Sequence, residues 1–114
     1  MRHHNKTKKL SRVRKTRKAL MSSLALSLIL KNKIKTTEIK AKALRPFVEK
    51  LVTVAKKETL SSKRDVVSAI GQKGLKKISD ISSKFKERNG GYTRITKIPN
   101  RMSDGAKMAY IEFV

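Results

Sequence analysis

The stretch MRHHNKTKKLSRVRKTRK-ALMSSLALSLIL, residues 1–30, decides how this chain is read. Its first eighteen residues hold nine Lys or Arg and no acid, and the next twelve are apolar apart from Ser22, Ser23 and Ser27. The first part cannot bury itself and calls for a polyanion; the second must be covered by protein. Together they predict a small domain anchored by one helix, with a basic tail that orders on its ligand. Ser11 is placed to cap a helix starting near Arg12. Leu20, Met21, Leu24, Ala25, Leu28 and Ile29 then recur at helical steps as one stripe. Leu26 and Leu30 widen that stripe, so this helix is expected to be the most buried one. Its first turns carry Arg12, Arg14, Lys15 and Arg17, the wrong sign for the positive end of the helix dipole, at a cost on the order of 0.3–1 kcal/mol each. A phosphate at that end reverses the penalty.

Outward from this segment, Lys33-Ile34-Lys35-Thr36 alternates as a short strand does. Thr36 or Thr37 caps a second helix, with Glu38 in its first turn and an apolar stripe of Leu44, Phe47, Val48, Leu51, Val52 and Ala55, ending near Lys57. Pro46 lies inside this run and is expected to kink or divide it. Lys40, Lys42, Arg45 and Lys50 are available for its outer face. Ser62 to Asp65 resembles a capping box before a short helix that stops at Gly71. Gly74 precedes another helix with Leu75, Ile78, Ile81 and Phe85 as its apolar positions, ended by Gly90-Gly91. Tyr92–Ile98 and Met108–Val114 read as two strands, joined by the turn-rich segment Pro99–Lys107. The order is helix, strand, three helices, two strands: an α+β fold in one domain, residues 12–114, behind a basic arm, residues 1–11.

Thirty Lys and Arg stand against eight Asp and Glu among 114 residues, a net charge of +22. Self-repulsion at that density opposes compaction unless much of the charge faces a fixed anionic partner. Nucleic acid fits, because each neutralised phosphate releases condensed counterions. The absence of cysteine excludes disulfides, thiol catalysis and Cys-based zinc sites. A basic start followed by SLALSLIL imitates a signal peptide, but Lys31, Lys33 and Lys35 occupy the place of a cleavage site. A cleaved leader predicts a mature terminus beyond Lys31. Twelve apolar-rich residues fall short of a membrane-spanning helix.

The acids are scattered, both histidines lie in the arm, and there is no GxxxxGK phosphate loop, so the sequence points away from an enzyme, a resident cofactor or a small-molecule substrate. Met1-Arg2-His3 has the donors for a square-planar Cu(II) or Ni(II) site, but in this context His3 and His4 read as further polar groups for RNA. Ile70-Gly71-Gln72-Lys73-Gly74-Leu75 holds a GxxG turn between helices, the device with which KH domains clamp nucleic-acid backbone. The same glycines also serve simply to stop one helix and start the next. Tyr92 with Arg94, after Gly90-Gly91, either stacks on a base and grips a phosphate or fills the sheet while Arg94 is solvated.

Three blocks carry a resemblance along essentially the whole chain. They are Met1-Arg2-His3 with Arg17-Lys18-Ala19-Leu20-Met21; Ile34-Lys35-Thr36-Thr37 with Lys40-Ala41-Lys42 and Val48-Glu49-Lys50-Leu51-Val52-Thr53; and Gly90-Gly91-Tyr92-Thr93-Arg94-Ile95 with Met108-Ala109-Tyr110-Ile111-Glu112. In these the chain resembles the bacterial large-subunit ribosomal protein seventeen family, departing from its pattern between Lys57 and Phe85. The resemblance implies a mixed three-stranded sheet packed on helices. It also implies a structural, cytoplasmic role in the large ribosomal subunit, on 23S-type rRNA, with protein thirty-two of that subunit as a neighbour. The candidate RNA contacts in the arm and first helix are Arg2, His3, Lys6, Lys8, Lys9, Arg12, Arg14, Lys15, Arg17 and Lys18. In the body they are Lys35, Lys40, Lys42, Arg45, Tyr92, Arg94 and Arg101. A free KH-like module that recognises single-stranded RNA through the Gly71–Gly74 turn is the competing reading.

Overall fold

The computed structural model of the chain describes residues 3–114. Arg14–Lys31 form α1, Lys33–Thr37 β1, Glu38–Ala55 α2, Leu60–Ile70 α3, Leu75–Lys84 α4, Thr93–Ile98 β2 and Met108–Phe113 β3, with a 3-10 turn at Gln72–Gly74. The class is α+β and the element order is the expected one. The sheet runs β1-β3-β2 and both pairings are antiparallel, so the mixed sheet implied by the resemblance is corrected. The reason is local. The segment between β2 and β3 folds back on itself, with Arg101 N–H on the Ala106 carbonyl and Gly105 N–H on that of Arg101, and makes a hairpin. β3 then lies against β1 with Ile34, Ile111 and Ile95 level across the three strands. The apolar MAYIEF strand takes the centre, and the strands bearing lysine and arginine take the edges, where charge blocks further pairing.

α2 is the most buried helix, not α1. It lies between the sheet and the other helices and buries Ala41, Leu44, Val48, Leu51 and Val52, whereas α1 is covered along one side and buries only Ala25, Leu28 and Ile29. Leu30, expected to widen the buried stripe, is 46% exposed. Pro46 does not divide α2, which continues from Glu38 to Ala55. The core joins Leu28, Ile29, Leu44, Val48, Val52, Ile78 and Ile111 with Tyr92, whose ring packs 5.2 Å from that of Phe85.

The caps differ from the sequence reading in four places, one of them Thr37, which is the N-cap residue of α2 but makes no side-chain capping bond. Ser11 does not cap α1: its φ is +54°, and the N-cap is Val13, which offers no side-chain acceptor. α3 starts a turn earlier than expected because Thr59 caps it. The Thr59 hydroxyl accepts from Ser62 N–H at 3.1 Å, and the Ser62 hydroxyl donates to the Thr59 carbonyl at 2.8 Å. α4 ends at Lys84, well before Gly90-Gly91, because Phe85 turns out of the helix and its ring enters the core beside Tyr92 and Phe113. At the other end of α1, Asn32 adopts a left-handed φ of +64° and its N–H caps the Leu28 carbonyl, which sends the chain directly into β1.

Candidate nucleic-acid interface

The candidate cations fall into three groups, set by the elements that carry them. The first is the arm with the start of α1. Leu10 and Ser11 both have φ of +54°, and Arg12 N–H bonds the Lys9 carbonyl at 3.1 Å, so the chain reverses just before the helix. The arm then lies over the α1–α2 junction, where Lys6 and Lys8 join Arg14, Arg17 and Lys18 around a hollow of about 490 Å³. Its floor is apolar, made by Met21 of α1 and by Ala43, Pro46 and Phe47 of α2, and Lys50 completes the rim. Two guanidiniums are held by backbone: Arg12 Nη1 donates to the Leu10 carbonyl at 2.8 Å and Arg17 Nη1 to the Arg12 carbonyl at 3.3 Å. His3, Lys9 and Lys15 are exposed to either side. Arg2 lies outside the described residues.

Among the described residues five ion pairs form, and their cations are Lys33, Lys42, Arg45, Lys97 and Arg101. None belongs to the arm or to α1. No acid occupies the first turn of α1, and its N-terminal amides receive no side-chain cap. This end of the molecule therefore concentrates positive charge that its own carboxylates leave uncompensated.

The second group stands along the flank of α2 that faces β2. Lys42 pairs with Glu38 at 2.8 Å and Lys97 with the same carboxylate at 3.6 Å. The Lys42 hydrogen bond, helped by the charges of Lys97 and Lys107, holds the Glu38 carboxyl below its ordinary 4.5. Arg45 pairs with Glu49 at 3.6 Å and donates to the Thr93 carbonyl at 3.4 Å, while Glu49 accepts from the Thr93 hydroxyl at 2.9 Å. Glu38 through Lys97, and Arg45 with Glu49 through Thr93, thus tie α2 to the sheet, while Lys42 is held within its own helix. Lys40 makes no such pair and stands, by spacing, on the stripe that runs through Ala43 and Phe47 to Lys50.

The third group is the sheet face turned away from the helices. Lys33, Lys35 and Arg94 project there with the half-buried Tyr110, and Lys33 Nζ sits 4.5 Å from the centre of the Tyr110 ring. Arg101, at the hairpin tip, donates to Asp104 at 2.9 Å; the Ala106 N–H and then Arg101 hold that carboxyl below its ordinary range.

Tyr92 is corrected. It is 2% exposed, packs on Phe85 and meets Lys56 Nζ through its hydroxyl at 3.2 Å, so it fills the core just before β2 and is no platform for a base. The outward aromatic is Tyr110, which the sequence reading passed over; its signal was the alternation with Ala109 and Ile111, which puts it on the opposite face. Met21, Phe47 and Lys50 were also missed at the hollow, because the first two fit an ordinary core stripe. The GxxG turn has a packing role at its second glycine. A Cβ on Gly74 would come within 2.7 Å of Ile70 Cδ1 and 3.1 Å of Leu26 Cδ1, so this buried glycine lets the chain pack closely.

A family model described as Ribosomal protein L17 matches residues 20–114. The chain belongs to the ribosomal protein L17 family. The L17 match starts at Leu20 and so bears on the body rather than the arm. Relatives extend the likeness to the arm. The large ribosomal subunit protein bL17 of Sulfurihydrogenibium sp. is 56% identical, covering 100% of this chain and 97% of its own. The bL17 proteins of Hydrogenobaculum sp. and Campylobacter concisus are 51% and 47% identical, each covering 100% of this chain and 99% and 98% of theirs. Among the described residues of this L17 chain no helix is long and apolar enough to cross a membrane.

Proposed function

We propose that this chain is a structural, non-catalytic constituent of the large ribosomal subunit. It binds 23S-type rRNA through charge and shape, in the cytoplasm, beside other large-subunit proteins that include protein thirty-two. The arm, residues 1–11, and the cationic start of α1 enter between rRNA helices, while the domain of residues 12–114 holds them in place. The observation that carries this reading is the collection of arm and α1 cations that, among the described residues, no carboxylate neutralises. The names of its L17 relatives agree with it. Buried Gly74 disfavours the KH-like alternative.

The test is a deletion of residues 2–11. The truncated chain keeps its helical circular-dichroism spectrum but fails to enter large subunits, read by sedimentation at high salt; unchanged incorporation overturns the arm's role. Each Lys→Ala change in the arm lowers the slope of log affinity against log salt by about 0.7–0.9 per lost phosphate contact.

A further inference from the structure

We propose that the hollow between the arm, α1 and α2 receives one unpaired nucleobase, with the adjoining phosphates on its rim. The proposal rests on the RNA-binding reading above and adds the place and the form of the ligand. The floor and rim make two different demands. Met21, Pro46 and Phe47 present a polarisable thioether, a rigid ring and a flat aromatic surface, which suit a base's π-face. Arg14, Arg17, Lys18 and Lys50 present only positive charge, and no acid lines the hollow. A duplex offers phosphate and groove edges, and so would leave an apolar floor uncovered. A strand with a splayed base meets floor and rim together. An apolar protein segment would cover the floor but leave the rim uncompensated.

Size and preparation agree. The volume of about 490 Å³ lies within the roughly 300–1,000 Å³ range of small-ligand sites. The uncapped amides at the start of α1 add positive potential beside the rim. Arg17 is already held by the Arg12 carbonyl, which reduces the ordering needed when the ligand arrives.

The experiment uses the full chain and two single-stranded oligoribonucleotides of equal length, one intact and one lacking its bases, titrated over a range of salt. The intact strand is expected to bind roughly 5- to 100-fold tighter, as stacking of one base provides, with the same salt slope for both. Ala43→Phe fills the hollow without removing charge, and should bring the two affinities together while leaving the slope unchanged. Lys50→Ala should lower the slope by about 0.7 and keep the ratio. Should Ala43→Phe fail to fold by circular dichroism, Met21→Ala strips the floor and must reduce the ratio. Equal binding of the two strands, or a ratio that survives in the floor variants, overturns the proposal. So does tighter binding of an acidic peptide than of either strand. Salt-dependent binding without a base preference removes only the hollow; no salt-dependent binding to either strand removes the RNA-binding reading beneath it.

Discussion

Glu38 stands where three lysines converge, and what it does depends on pH. Its folded-state carboxyl titrates below 4.5 because Lys42, Lys97 and Lys107 favour the charged form. The folded state therefore binds its proton less readily than the unfolded chain. The resulting stability is fully present above about pH 4.5 and is lost as pH falls through the lowered value. Glu38→Gln should lower the melting temperature at neutral pH, and the gap from the wild type should close in melts taken at successively more acid pH. Gly71 makes a second point at this scale. Its φ of +81° with ψ of 174° belongs to a region that side chains avoid, although nothing crowds it. Gly71→Ala should cost about 1–3 kcal/mol in denaturant unfolding and leave the salt slope for RNA unchanged. A backbone clamp at this turn would lose binding instead.

At the scale of elements, local chemistry competes with long-range packing, and this decides which features could be read in advance. The stripes of α2 and α4 and the strand at Lys33 were legible because the period of their apolar positions is unambiguous there. The start of α3 was not: Ser62 with Asp65 and Thr59 with Ser62 both offer polar side chains at cap spacing, and only the folded geometry selects the second. Thr59→Ala should therefore cost about 0.5–2 kcal/mol, against less than about 0.5 for Asp65→Ala, both read from denaturant midpoints. The end of α4 was obscured for another reason. Phe85 continues the apolar stripe in sequence, but the demand of the core for its ring ends the helix there. The hollow was illegible because Met21 and Phe47 look like core residues until the arm is seen to leave them half-covered.

Over the whole molecule, the net charge of +22 was plain from composition, but its division was not. Sequence alone could not say that Lys42, Arg45 and Arg101 are held by the chain's own carboxylates while the described cations of the arm and α1 stay unpaired. This division predicts opposite responses to salt. Raising ionic strength from about 0.01 to 0.15 M shortens the screening length from about 30 to 8 Å. The melting temperature of the isolated protein should rise over that range as self-repulsion is screened, while its RNA affinity falls. A melting temperature that drops would mean that attraction between its charges outweighs their repulsion. The order of the sheet adds a constraint in time. β3 is made after both strands it joins, so β1 and β2 have no partner while the nascent chain emerges. Helical segments can form as they leave the exit tunnel, but the sheet must await residues 108–113, and an arrest of translation before them leaves two open edges exposed to other chains.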